Sequence, residues 1–248
     1  RTFWREPDPV MRFLVTRPQP DCRRTAEKLR TLGHVADEAP VLKTVEVRSA
    51  QFGLDGVSAL AFSSRRSVAV LSAQGRIDAL RSLPVFTVGD ATALACQEAG
   101  FSNVLSASGD IAALAQLILD NRSGLSSGAV LYPAAEDRAG DLEGLLAAGD
   151  ISCRTVVLYR MEPAESLPSA VVDGLRQNAF DGVFIYSKRT AEAFLALVRR
   201  HGLDHIFSGL PVYALSRQSA EPLFEVSQVR IAAAPNESAL MDLALTQC

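Results

Sequence analysis

No stretch of this chain approaches the roughly 20 consecutive apolar residues that a membrane span requires. Cysteine is scarce: the four (Cys22, Cys96, Cys153, Cys248) lie far apart, with no CxxC pair and no histidine at zinc spacing. That argues against a disulfide framework and a structural zinc site, leaves each cysteine as a small apolar residue, and makes the cytosol the default compartment. The net charge of −3 lacks the basic excess of a general nucleic-acid binder. There is no P-loop, nucleophile elbow or HExxH. Val88-Gly89-Asp90-Ala91-Thr92 has one glycine where a dinucleotide fingerprint needs three. His201 and His205 are four apart, but Gly202 interrupts the helix that would align them on a metal. The opening residues 1–10 lack the apolar core of a signal peptide, so Met11 reads as the natural start and 1–10 as an extension outside the fold.

What is present is ordinary for a globular protein: 48% hydrophobic and 21% charged residues. Short apolar runs alternate with stretches of helical periodicity. Strands are expected near 12–16, 57–62, 84–88, 103–105, 128–132, 181–185, 211–215 and 228–232. Helices are expected near 21–32, 65–73, 90–99, 110–121, 139–148, 167–177, 188–200, 217–224 and 236–246. Alternating β and α elements with strands apolar throughout point to parallel sheets covered on both faces.

The chain also repeats itself. Ala61-Phe62-Ser63-Ser64-Arg65-Arg66 has the form of Phe184-Ile185-Tyr186-Ser187-Lys188-Arg189, with Ser64 and Ser187 123 apart (187 − 64). Leu83-Pro84-Val85-Phe86 recurs as Leu210-Pro211-Val212-Tyr213, and Leu14-Val15-Thr16 resembles Val130-Leu131-Tyr132. So long a period implies two related lobes rather than a solenoid, and two lobes make a cleft. Two β-rich stretches, 41–47 and 153–160, break the alternation at the seams. If 12–40 pairs with 179–246 and 56–121 with 128–152, the chain crosses between lobes twice, through a two-stranded connector. The expected domains are 11–42 plus 162–248, and 48–154, with 43–47 and 155–161 as connector strands. A division at a single point fits the periodicity equally.

Ligands of open α/β sheets bind beyond the carboxyl ends of the strands. The residues there are Thr16-Arg17, Ser63-Ser64-Arg65, Gly89 to Thr92, Ser187-Lys188 and Ser216 to Ser219. Hydroxyls at helix N-termini, most with a cation beside them, suit anions. Singly, each serine or threonine reads as a helix cap. Recurrence in both halves favours a two-sided clamp for a polyanion.

These residues resemble the uroporphyrinogen-III synthase family. The likeness rests on Leu14-Val15-Thr16-Arg17-Pro18, Phe62-Ser63-Ser64-Arg65, Val88-Gly89-Asp90-Ala91-Thr92, Val157-Leu158-Tyr159-Arg160, Ile185-Tyr186-Ser187 and Pro235-Asn236-Glu237-Ser238, in this order from Met11 nearly to Cys248. The resemblance implies two parallel-sheet α/β domains with the crossed topology. It also implies cyclisation of hydroxymethylbilane with inversion of ring D and loss of water, without metal or cofactor. Tyr159 matches the family tyrosine near the leaving hydroxyl. Arg17, Ser63, Ser64, Arg65, Gly89, Thr92, Ser187, Lys188 and Ser219 match substrate-holding positions. The partner expected is the linear tetrapyrrole polycarboxylate, bound by a monomer in transient contact with the bilane-forming enzyme, with no nucleic acid or membrane. Where the family has a glycine after strand 211–215, this chain has Ser216, which is expected to strain the turn. That departure keeps open a non-catalytic ligand-binding module of the same fold.

Overall fold

The computed structural model describes residues 9–47, 53–125 and 127–246. In chain order the regular elements are β1 (Arg12–Val15), α1 (Asp21–Thr31), β2 (Val35–Glu38), β3 (Leu42–Glu46), β4 (Val57–Phe62), α2 (Arg65–Ala73), β5 (Val85–Thr87), α3 (Asp90–Glu98), β6 (Val104–Ser106), α4 (Ile111–Asp120), β7 (Ala129–Ala135), α5 (Leu142–Ala147), β8 (Cys153–Pro163), α6 (Ser169–Arg176), β9 (Gly182–Ile185), α7 (Lys188–Arg200), β10 (Val212–Ala214), α8 (Arg217–Ala220), β11 (Val229–Ile231) and α9 (Glu237–Leu245). The chain folds into two units. Unit 1 takes the described residues up to Thr44 and from Glu162 onward, and unit 2 takes Val45–Met161.

Unit 1 is built on a five-stranded sheet of order β11-β10-β9-β1-β2. Its strand pairs are parallel throughout. The register sets Phe13 beside Gly182 and Val212 beside Val183, so strands from opposite ends of the chain are neighbours. Unit 2 carries a six-stranded sheet, β3-β8-β7-β4-β5-β6. Leaving out the edge strand β3, β8-β7-β4-β5-β6 repeats the pattern of unit 1, with β7 in the place of β1 and β4 in that of β9. The copies differ in where the chain enters. In unit 1 the first βαβ comes from the start of the chain; in unit 2 the corresponding βαβ, β7-α5-β8, comes last.

The strands of the seams, β3 and β8, run through the junction of the two units and also form one edge of the second sheet. Val47 N–H donates to Leu158 C=O and Ala164 N–H to Val41 C=O, which makes the pair antiparallel. Parallel pairing would need a crossover here; instead one strand leaves unit 1 and the other returns to it.

β2 has no counterpart among the expected strands. Its residues Val35-Ala36-Asp37-Glu38 end in two acids that read as loop, but both are neutralised. Arg12 Nε donates to Asp37 at 2.7 Å, and Arg30 meets Glu38 at 3.4 Å. The expected helix 139–148 begins only at Leu142, capped by Asp141, whose carboxylate accepts from Gly144 N–H at 2.9 Å. The expected helix 217–224 stops as an α-helix at Ala220 and continues as a 3₁₀ turn over Glu221–Leu223, where Pro222 cannot supply an α-helical donor.

Each unit has its own core. In unit 1, Phe13, Phe184 and Tyr213 are buried and in contact, with ring centroids 5.2, 5.9 and 6.3 Å apart. Gly182 makes room for them, since a Cβ there would lie 2.4 Å from the Tyr213 ring. Cys22 and Cys96 sit in the cores of units 1 and 2 and Cys153 packs beside a second cluster of unit 2. Desolvation pushes all three thiols up to about 12, so they are protonated and inert at neutral pH. Cys248 and residues 1–8 lie outside the described residues. Among the described residues no helix is long and apolar enough to cross a membrane. Gly182→Ala should lower the unfolding free energy by about 1–3 kcal/mol through overpacking. Chemical denaturation checks this, and an unshifted midpoint would mean that the Tyr213 ring moves freely.

Candidate functional site

Strand order in each sheet reverses at one place, between β1 and β9 in unit 1 and between β7 and β4 in unit 2. A crevice forms at the carboxyl ends of strands at such a switch point, because the connections leave toward opposite faces. In unit 2 that place is a cavity of about 590 Å³. Ser63 and Ser64 enter it from the end of β4, Val88 from the end of β5, and Asp110 and Ile111 from the start of α4. Arg138 comes from the loop after β7, and Tyr159 from β8.

Tyr159 is 3% exposed, belongs to a core cluster of unit 2 and borders the cavity. Its carbonyl accepts from Glu136 N–H at 2.8 Å, which ties the β7 loop to β8. Ser64 caps α2, accepting from Arg66 N–H at 3.1 Å. Ser63 is not a cap. Its Oγ lies 2.6 Å from the phenol oxygen of Tyr132, a residue only 1% exposed. Burial raises the Tyr132 phenol above the ordinary tyrosine range, although the hydrogen bond with Ser63 opposes the shift. Arg138 donates to Glu136 C=O at 3.3 Å and lies 4.0 Å from the Glu143 carboxylate, close to the cavity wall. Neither Tyr132 nor Arg138 was anticipated. Tyr132 lies on a strand inside the core, and Arg138 falls between the expected strand 128–132 and the expected helix 139–148, in a stretch with no pattern to single it out.

Of the other expected residues in unit 2, Gly89 is the N-cap of α3 and offers no side chain to that helix end. Its φ of −163° is extended backbone that any residue adopts, and a Cβ there would meet nothing within 4 Å. The glycine therefore keeps a space clear rather than permitting a conformation. Thr92 is 6% exposed on α3, and Arg65 is the half-buried first residue of α2. None of the three borders the cavity.

In unit 1 the switch point is occupied by the protein's own side chains. Arg17, beyond β1, stacks over the Tyr186 ring at 4.1 Å from its centroid. It also donates to Glu237 Oε1 at 2.9 Å and to Thr25 Oγ1 at 3.1 Å. Thr25 donates to the same carboxylate at 2.6 Å, the Tyr186 phenol donates to it at 3.3 Å, and Lys28 pairs with its other oxygen. Burial alone would raise the Glu237 carboxyl, but hydrogen bonds from Lys28 and Thr25 and the charges of Lys28 and Arg17 outweigh it, holding the group below the usual range. Burial also drives the Tyr186 phenol well above its ordinary range.

The remaining expected residues of unit 1 serve helix ends. Ser187 caps α7 and shares a 2.8 Å hydrogen bond with Thr190 Oγ1, while Lys188 pairs with Glu221 at 3.0 Å. Ser216 caps α8 and meets Ser219 Oγ at 2.8 Å. The strain expected at Ser216 is absent: its φ of −155° is extended, and the serine caps the helix end that a glycine would leave open. His201 Nε2 accepts from Leu167 N–H at 3.4 Å, and His205 lies in the 3₁₀ turn Asp204–Ser208. Among the described residues no group of three or more His, Cys, Asp or Glu could hold a metal ion.

The family model described as Uroporphyrinogen-III synthase HemD matches residues 23–242. The structure is similar to the uroporphyrinogen-III synthetase of Helicobacter pylori, at 18% identity over 96% of this chain and 100% of that one, with a TM-score of 0.63. It is also similar to a mutant uroporphyrinogen III synthase of Thermus thermophilus, at 19% identity over 96% and 100% of the two chains, with a TM-score of 0.53. At these identities the two structures establish a shared fold. No curated protein matches the chain.

The Glu237 cluster sets a pH dependence. Because its folded pKa is depressed, the carboxylate's contribution to stability is complete above the ordinary carboxylate range and is lost as pH falls through the lowered folded value. Glu237→Gln should cost about 1–3 kcal/mol at neutral pH and flatten that acid limb. Urea denaturation between pH 3 and 7 checks it, and an unchanged limb would remove Glu237 as its cause.

Proposed function

The chain belongs to the uroporphyrinogen-III synthase family, and from that premise we propose that it cyclises hydroxymethylbilane to uroporphyrinogen III, inverting ring D and releasing water, as a lyase without a cofactor. The observation that carries this reading is the cavity at the switch point of unit 2, where a nearly buried phenol and the hydroxyls of Ser63 and Ser64 converge.

The reaction asks for little chemistry and much positioning. The C–O bond of the terminal hydroxymethyl group breaks, the oxygen leaving as water, and the pyrrole nitrogen lone pair stabilises the resulting azafulvenium cation. The substituted α-carbon of ring D attacks that cation to give a spiro intermediate. This fragments and recloses with ring D turned over, and loss of a ring proton completes the product. Free in solution, the same chain closes without inversion. The protein's task is therefore to hold the two ends where the spiro route is shorter, an effect of orientation. Tyr159 donates a hydrogen bond to the departing hydroxyl, which assists its loss as water. The apolar lining of Val88, Ile111 and Leu145 keeps water from the cation.

The substrate's acetates and propionates need donors. Ser63, Ser64 and Arg138 supply them at the cavity, and Thr92, Arg65 and the open helix end at Gly89 extend the set within unit 2. In unit 1, Ser187, Lys188, Ser219 and Arg17 offer a second set. There the cations already hold acids, Arg17 with Glu237 and Lys188 with Glu221, so a substrate carboxylate competes with those acids for them. Hydroxyl and amide donors therefore carry more of the binding than fixed charge.

Incubation with hydroxymethylbilane, followed by oxidation and separation of the isomers, should give type III porphyrin faster than spontaneous closure gives type I. Type I alone at the spontaneous rate overturns the proposal and leaves a ligand-binding module. In the same assay Tyr159→Phe should lower turnover by about 100-fold with an unchanged unfolding midpoint, and full turnover would remove Tyr159 from the mechanism.

A further inference from the structure

Ser63 and Tyr132 stand on the two strands that flank the switch point of unit 2, Tyr132 within β7 and Ser63 just past β4. Their oxygens are 2.6 Å apart, a full-strength contact between two hydroxyl groups. Distance alone leaves open which oxygen donates; the surroundings decide. Tyr132 is 1% exposed, and among the described residues Ser63 is its one hydrogen-bond partner. If the serine donated, the phenol proton would be buried with no acceptor, an arrangement native cores avoid. If the phenol donates, its proton is satisfied and the serine's own proton is free. Ser63 is half-buried and borders the cavity, so that proton has the cavity in front of it. Burial, which raises the Tyr132 phenol, keeps it in the protonated, donating form throughout the neutral range.

We infer that Tyr132 is a positioning residue for the bound substrate: its phenol donates to Ser63 Oγ and so turns the serine hydroxyl into the cavity as a hydrogen-bond donor for a carboxylate. The inference rests on the proposed polycarboxylate substrate, whose carboxylates supply acceptors only. An undirected serine hydroxyl spends part of its time with its proton turned away, and an acceptor-only ligand gains nothing from it then. With the phenol as donor, one lone pair of Oγ is taken and the proton is aimed. The arrangement belongs to unit 2 alone. The position matching Ser63 in unit 1 is Tyr186, whose phenol is spent on Glu237. The two halves of the duplication have thus diverged at this position, one hydroxyl aimed into open space and the other locked into an ion cluster.

The test is a double-mutant cycle on the full chain with Tyr132→Phe, Ser63→Ala and the pair, each with its unfolding midpoint. Tyr132→Phe keeps the buried ring and leaves Oγ open to water, so the fold is retained. Affinity is read by calorimetry with uroporphyrin III, the oxidised octacarboxylate, and kcat and KM with hydroxymethylbilane. Ser63→Ala should weaken uroporphyrin III binding on the order of tenfold. Tyr132→Phe should weaken it by roughly three- to tenfold, with the cost in KM rather than kcat. The double variant should bind no more weakly than Ser63→Ala alone, because the phenol acts only through the serine. Additive losses, or Tyr132→Phe binding like the wild type, overturn the inference. A wild type that binds uroporphyrin III but makes no type III isomer overturns the proposed reaction, and the binding cycle still decides the role of Tyr132. A wild type that neither binds nor reacts overturns both.

Discussion

The parallel pairing of β1 with β9 is the constraint from which the rest of the architecture follows. A strand at the start of the chain is held beside one about 170 residues later, with Phe13 against Gly182 and Val15 against Phe184. Between these strands the chain leaves unit 1 after Thr44 and comes back at Glu162. The seam strands β3 and β8 are that exit and return, and their antiparallel hydrogen bonds turn two linkers into a sheet edge. Backbone hydrogen bonds join the pair, with Thr16 Oγ1 donating to Phe184 C=O at 2.7 Å, and apolar packing backs it. Phe13, Phe184 and Tyr213 form a continuous aromatic layer, and it closes because Gly182 yields the volume. The return strand β8 carries Tyr159, so the connection that completes unit 1 also supplies the phenol at the cavity of unit 2.

The two units share one strand order and differ in what fills their switch points. In unit 1, Arg17, Thr25, Lys28, Tyr186 and Glu237 bond one another in a partly buried network in which the two cations share the Glu237 carboxylate. In unit 2 the equivalent place is a largely apolar cavity bordered by Ser63, Ser64 and Tyr159. The repeated strand order thus carries its polar groups differently: in unit 1 they hold strand ends and helices together, and in unit 2 Ser63, Ser64 and Arg138 border the cavity. The altered turn at Ser216 belongs to the first: a serine takes over the cap of α8 that its counterpart Gly89 does not provide for α3.

Much of this was legible in the sequence because it is local or periodic. Apolar runs marked β1, β4, β7 and β9. The recurring Ser-Ser-Arg and Tyr-Ser-Lys marked matching strand ends, and Ser64 and Ser187 act as the caps that their positions suggest. Non-local pairing was not legible. β2 read as loop until Arg12 and Arg30 were seen to neutralise its acids. Arg17 read as a free cation because the carboxylate that holds it is 220 residues away. Tyr132 read as a core strand residue, and only the fold brings its phenol to Ser63.

The central claim is that the cavity at the unit 2 switch point holds the tetrapyrrole. Backbone hydrogen exchange with and without uroporphyrinogen III, kept free of oxygen, tests it most directly. Slowed exchange at the amides of Ser63 to Arg66 and Asp137 to Gly140 is the predicted result. Unchanged exchange at both segments, with protein and ligand at saturating concentration, would contradict it.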